Sequence, residues 1–223
     1  GLLNIAEAAV EVGTQKLLFV SSGGVVYGEP EQIPTPEIAE KRPLSPYGVT
    51  KLCGELYLSY YLHLHGMEYV ALRYSNVFGP RQDPHGEAGV VAIFCKRILN
   101  GQELKIFGDG EQTRDYVYVK DVVAANMLAS NAAMGQGTGL DSRAFNVGSG
   151  IGTSVLQLVD TLERVAKATC LRSHFPEREG ELKHSTLDSG LIQSRGWSPA
   201  YTLEEGLRET YDHIVKQRAR ATE

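Results

Sequence analysis

Tyr47 and Lys51 stand four residues apart in the segment Ser45–Glu55, SPYGVTKLCGE. On a helix that spacing puts both side chains on one face, one turn apart. An ammonium beside a phenol stabilises the phenolate and draws a phenol pKa down from ~10 toward working pH. Such a tyrosine serves as a general base for a sugar or alcohol hydroxyl. A Tyr–Lys pair at this spacing is more often a plain surface pair, so its setting decides the matter. Ser21-Ser22 closes one apolar run, KLLFV, and Tyr74-Ser75-Asn76 closes another, EYVALRY. In open α/β sheets ligands bind outside the carboxyl ends of the strands. The two strand ends and the start of the Tyr47 helix are therefore expected at one mouth.

The elements that must hold these residues follow from pattern. Gly1–Val12 is rich in Leu, Ala and Glu and reads as a helix that Gly13 ends. Lys16–Val20 is a short apolar run of the kind buried on both faces of a parallel sheet. Five prolines between Pro30 and Pro46 exclude a long helix there. A helix is expected from Pro46, with Ser45 as N-cap, to about His65, where Gly66 stops it. Glu68–Tyr74 is a second strand. Further on, Gly89–Leu99, Asp121–Ala132, Ser154–Ala168 and Leu203–Arg218 read as helices. Leu104–Gly108, Asp115–Val119 and Ala144–Val147 read as strands. Helix and strand alternate as in an α/β protein.

Composition removes several classes. Among 223 residues Lys plus Arg is 22 and Asp plus Glu is 27, a net charge of −5. A binder of nucleic-acid backbone normally carries a basic surplus. Hydrophobic content of 42% and charged content of 22% suit a globular domain. Apolar stretches such as Gly89–Cys95 fall short of the ~18–20 residues of a membrane span. Cys53, Cys95 and Cys170 are widely spaced, which fits a reducing cytoplasm and offers no zinc pattern. No metal, nucleic-acid or membrane partner is expected.

The sequence resembles the extended short-chain dehydrogenase/reductases, and within them nucleotide-sugar epimerases similar to UDP-glucose 4-epimerase. The matching pieces come in family order: Lys16–Pro30, Ser45–Glu55, Leu72–Phe94, Ile106–Val123, Phe145–Leu158, Arg178–Asp188 and Gly196–Leu207. The combination of Tyr-Gly-x-x-Lys with Gly-Asp-Gly-x-Gln-x-Arg-Asp is the specific part. The resemblance implies an α/β fold: part of a Rossmann-type parallel sheet over residues 1–80, with returns near 110–150, and a smaller nucleotide-sugar-binding region over 81–223. It implies NAD as cofactor, held near Ser21, Ser22, Tyr47, Lys51 and Ser75. It implies nucleotide-sugar contacts from Asn76, Phe107, Arg114, Arg178 and Glu181. Arginine binds diphosphate through two-pronged, charge-assisted hydrogen bonds, and Phe107 offers a flat face to a base. It also implies a homodimer through the helices at 1–12 and 46–65.

Two departures qualify that picture. No Gly-rich dinucleotide turn of the family's spacing occurs; Gly148-Ser149-Gly150-Ile151-Gly152 has the wrong spacing. The opening GLLNIAEAA matches a mid-domain helix, so roughly 90 residues that carry the family's βαβ cofactor unit are expected to be absent, and the chain alone to be inactive. The family's relay serine or threonine, four residues before the tyrosine of Val-Tyr-Gly, falls on Gly23; Ser22, a water or a substrate hydroxyl is then left to carry the proton. Gly23-Gly24-Val25 also lacks the Thr-Asp-Glu of the family's dehydratases. The expected reaction is epimerisation of a nucleotide-diphosphate sugar, UDP-glucose/UDP-galactose foremost, through a 4-keto sugar, with Tyr47, Lys51 and Ser22 as catalytic group. Its rivals are another nucleotide-sugar epimerase or reductase, and a non-catalytic NAD-fold binding protein.

Overall fold

The computed structural model describes residues 1–84, 89–135, 137–178, 180 and 182–221. Helix α1 (Leu2–Glu11) leads through Gly13 in a left-handed conformation to strand β1 (Lys16–Ser22). A single helical turn, α2 (Gly23–Val26), follows. After the proline loop, α3 (Pro46–His65) begins where expected: the Ser45 hydroxyl accepts a hydrogen bond from the Gly48 amide at 3.1 Å, and Pro46 takes the first helical turn. Gly66, at φ +66°, ends it.

Strand β2 (Glu68–Tyr74) pairs parallel to β1 throughout, Lys16 opposite Glu68 and Ser22 opposite Tyr74. Beyond it come β3 (Asn76–Phe78), α4 (Val90–Leu99), β4 (Leu104–Phe107), β5 (Thr113–Tyr118) and α5 (Val119–Asn131). Strand β6 (Ala144–Val147) returns to the first sheet, parallel to β2, giving the order β1-β2-β6. A second sheet is built on β5, which pairs with β3, with β7 (Gly152–Ser154) and with β9 (His184–Ser185). A third pairs β4 with β8 (Arg172–Phe175) in parallel. Helices α6 (Val155–Ala166), α7 (Gly190–Gln193) and α8 (Leu203–Ala221) complete the described chain. A capping box between Ser154 and Gln157 starts α6.

One apolar core lies between the β5 sheet and α4, α6 and α8, around Phe78, Leu158 and Leu162. Another joins β2 and β6 to α5 and Trp197, and a third joins α1 and α3 to the opposite face of the first sheet. The strand read as buried on both faces is only half-buried: β1 is the edge of its sheet, and Val20 is 46% exposed. The strand runs through Ser22, two residues past the apolar run, and helix α2 starts directly at Gly23.

Candidate active site

The carboxyl ends of β1 and β2 and the start of α3 open on one cavity of about 490 Å³, bordered by Ser22, Gly24, Tyr47, Ser75 and Asn76. Tyr47 is 54% exposed at its mouth. The Lys51 ammonium lies 5.5 Å from the centroid of the Tyr47 ring and donates to the Val20 carbonyl at 2.8 Å. Tyr47 thus borders the cleft, and the Lys51 ammonium beside its ring puts a positive charge near where proton loss from the phenol would leave a negative one.

The two serines diverge as strand alternation requires. Ser21 is buried, and its hydroxyl donates to Glu55 Oε1 at 2.5 Å. Ser21, expected near the cofactor, also borders the cavity, with its hydroxyl engaged by Glu55. Ser22 borders the cavity. Ser75 borders it too, and its Oγ is buried without a hydrogen-bond partner among the described residues. Such a buried hydroxyl bordering the same cavity as Tyr47 fits a polar ligand edge such as a nicotinamide amide. The residues present therefore suit the nicotinamide end of NAD.

Gly23 and Gly24 differ in surroundings. A Cβ at Gly23 would lie 2.5 Å from Leu187 Cδ1 and 3.2 Å from the Arg73 carbonyl oxygen, so Leu187 fills the space a relay side chain would need. A Cβ at Gly24 would meet only Ser185 Oγ at 3.8 Å and Asn76 Oδ1 at 4.0 Å, in ordinary contact.

Asn76, Val77 and Arg114 border both this cavity and a larger one of about 760 Å³. The larger cavity contains Phe107, Arg178 and Gln112. The Arg178 guanidinium carbon lies 3.9 Å from the centroid of the Phe107 ring, a stacked cation–π arrangement. Gln112 Nε2 donates to the Phe107 carbonyl at 2.9 Å and fixes that strand end. Arg114 Nη1 donates to the Thr113 carbonyl at 2.9 Å. Phe107 is half-buried and not a core strand residue. Glu181 lies outside the described residues. Among the described residues, no group of three or more potential metal ligands converges, and no helix is long and apolar enough to cross a membrane.

Beneath the cleft lies a buried polar network that motif reading missed. Arg73 and Glu55 form an ion pair with both side chains fully buried; Arg73 Nη2 lies 2.6 Å from Glu55 Oε2. Arg73 also donates to the Tyr27 hydroxyl at 2.9 Å and to Asp141 Oδ1 at 3.0 Å. Tyr27 donates onward to Asn146 Oδ1 at 2.8 Å. Burial works against the Arg73 charge, but the Glu55 hydrogen bond and the neighbouring negative charge prevail and hold its pKa above the usual arginine value. A charged residue in the apolar strand run, and a glutamate four past Lys51, were the signals available for this pair. On the other side of the cleft, Asp115 of β5 accepts from Ser149 N at 2.7 Å, Ser149 Oγ at 2.6 Å and Leu187 N at 3.2 Å. It ties the turn after β6 to the second sheet, and Gly148 leaves no room for a Cβ against it.

Residues 1–148 match the family described as NAD dependent epimerase/dehydratase. A putative UDP-glucose 4-epimerase of Methanocaldococcus jannaschii is 44% identical over 208 residues, covering 93% of this chain and 66% of that protein. This chain therefore spans just under two thirds of that relative. The crystal structure of the UDP-glucose 4-epimerase of Thermotoga maritima with UDP-glucose superposes with a TM-score of 0.92 at 44% identity, over 97% of this chain and 69% of that one. A UDP-N-acetylglucosamine 4-epimerase from Methanobrevibacter ruminantium, in complex with UDP-N-acetylmuramic acid, gives 0.89 at 35% identity over 97% and 68%.

Proposed function

Since the chain belongs to the NAD dependent epimerase/dehydratase family, we propose that it performs the 4-epimerisation of a UDP-sugar, with UDP-glucose and UDP-galactose as the favoured pair. The observation that carries this is the union of two sites: Tyr47, with Lys51 beside its ring, opens on one cavity, Phe107 and Arg178 line another, and Asn76, Val77 and Arg114 border both. Tyr47 takes the proton of the sugar 4-hydroxyl. The Lys51 ammonium stabilises the charge left on the phenol and reaches the nicotinamide ribose. Ser75 and Ser22 border the nicotinamide side, and Ser22, a water or a substrate hydroxyl passes the proton where Gly23 has no hydroxyl. Arg114, Arg178 and Asn76 hold the diphosphate, Phe107 lies against the uracil, and Glu181 takes the ribose hydroxyls. NAD, held at its nicotinamide end by Ser22, Ser75, Tyr47 and Lys51, would supply the hydride acceptor and donor for C4 of the sugar.

A homodimer belongs to the same proposal. Leu56, Tyr60 and Leu64 form an exposed stripe along α3, and Ile5 is exposed on the adjoining α1. Paired with the same helices of a second copy, that stripe would be covered.

The test is conversion of UDP-glucose to UDP-galactose in the presence of NAD by the full-length protein, followed by NMR. Tyr47→Phe is expected to cut turnover by roughly 10²–10⁴-fold, the usual worth of a positioned acid–base group, with UDP affinity retained. Unchanged turnover in that variant removes Tyr47 from the reaction. Conversion of UDP-N-acetylglucosamine but not UDP-glucose would replace the favoured sugar.

A further inference from the structure

Helix α3 meets strand β1 at two consecutive residues. Lys51 Nζ donates to the carbonyl of Val20 at 2.8 Å, and one helical turn further on Glu55 Oε1 accepts from the hydroxyl of Ser21 at 2.5 Å. Tyr47, Lys51 and Glu55 are spaced four and four, so all three lie along one stripe of the helix. The helix presses close to the strand there: a Cβ at Gly54 would fall 2.4 Å from Phe19 Cζ. Glu55 is itself held from below. Arg73, opposite Ser21 in the parallel register, donates to it through Nε at 3.0 Å and 3.2 Å and through Nη2 at 2.6 Å.

We infer that Glu55 is the positioning residue of the Tyr47–Lys51 pair: gripped by Arg73 of β2 and Ser21 of β1, it sets the register of α3 so that Lys51 stays on Val20 and Tyr47 at the cleft. The physical reason lies in the geometry of the two grips. A hydrogen bond from an exposed lysine to a carbonyl is easily replaced by water. A bidentate, fully buried arginine–carboxylate contact is directional and has no water to replace it. The rigid grip therefore fixes the rotation of the helix, and the looser grip one turn away follows. This inference rests on the roles given above to Tyr47 and Lys51, and its primary test does not use turnover.

The experiment is competitive acetylation of the 223-residue chain with limiting acetic anhydride, read by mass spectrometry at Lys51 against the distant Lys167 and Lys216. Glu55→Gln keeps the shape and removes the charge. Ser21→Ala removes one hydrogen bond and no charge, and it decides the matter if Glu55→Gln does not fold. Labelling of Lys51 relative to the reference lysines is expected to rise by about threefold or more in either folded variant, because the local opening that frees the ammonium becomes easier. Unchanged Lys51 labelling in a folded variant overturns the inference. In the full-length protein, Glu55→Gln is further expected to lower kcat about tenfold with KM for the UDP-sugar within about twofold, as for a misplaced catalytic group. Added to Tyr47→Phe it should cost less than about twofold more, since it acts through Tyr47; a fully additive loss also overturns it. Absence of turnover in the unaltered protein, with the labelling contrast intact, would count against the functional reading and leave the positioning established.

Discussion

At the scale of single residues, Gly23 and Gly24 carry the most specific consequences. The family's relay position is closed here by Leu187, which is fully buried and whose amide is held by Asp115. Gly23→Ser is therefore expected to destabilise rather than restore a relay, by about 1–3 kcal/mol as an overpacked core site. Combined with Leu187→Ala it should cost clearly less than the two single changes summed, because each removes the reason for the other's penalty; thermal melts of the four proteins read this directly. Additive costs would show that the Leu187 side chain is not what excludes the serine. Gly24→Ser, whose Cβ would make ordinary van der Waals contact with Ser185 and Asn76, should leave the melting temperature within the scatter of surface changes, ~0.5 kcal/mol.

At the scale of elements, α3 does the organising. Its N-cap places Tyr47 in the first turn, over the end of β1, and Ser45→Ala should cost about 1 kcal/mol of stability. That loss falls at the Tyr47 end of the helix, so fraying should appear first as faster amide exchange at Gly48 and Val49. Protection unchanged from the parent protein would mean the cap is redundant. The opposite face of the helix bears on assembly. Tyr60→Asp places a charge in the middle of the exposed apolar stripe, and a shift from dimer to monomer in sedimentation is expected. A chain that sediments as a dimer with and without the change would place the interface elsewhere.

At the scale of the whole molecule, two sheets built from interleaved segments border one cleft, and the buried acid Glu37 packs against β6 of the first. Burial pushes the Glu37 carboxyl above the usual glutamate value of 4.5, even though it accepts a hydrogen bond from the Asn146 amide at 2.9 Å. Its ionisation thus costs more in the folded chain than in the unfolded one. The contribution of Glu37 favours folding below the ordinary glutamate value and is lost as pH rises through the raised one. Glu37→Gln, which keeps an acceptor and cannot ionise, should gain in melting temperature relative to the parent protein on going from about pH 4 to about pH 7. A constant difference across that range would mean Glu37 titrates as in the unfolded chain. The division of labour between the sheets has its own test. Phe107, Arg114 and Arg178 all lie in the 223 residues, whereas no Gly-rich dinucleotide turn does. Calorimetric titration of this chain is expected to give binding of UDP and none of NAD; tight NAD binding would show that the pyrophosphate needs no such turn.

Much of this protein was legible from residue order alone, because caps, breakers and apolar runs act over a few residues. Pro46–His65, Glu68–Tyr74 and Ala144–Val147 fall where the sequence puts them, since Ser45, Gly66 and the β-branched runs impose local dihedral preferences that tertiary contacts did not override. The spacing of Tyr47 and Lys51 likewise decided that they share a helix face. What local order does not encode is which distant atoms occupy the same space. That Ser21 turns inward to Glu55 while Ser22 meets the cleft, and that Arg73 is neutralised by a helix eighteen residues away, depend on register between elements. The short strands Asn76–Phe78, Gly152–Ser154 and His184–Ser185 exist because β5 offers them hydrogen-bond partners, and two or three residues carry no periodicity of their own. The closure of position 23 by Leu187 is the plainest case: 163 residues lie between them, and only side-chain packing in the folded core brings them together.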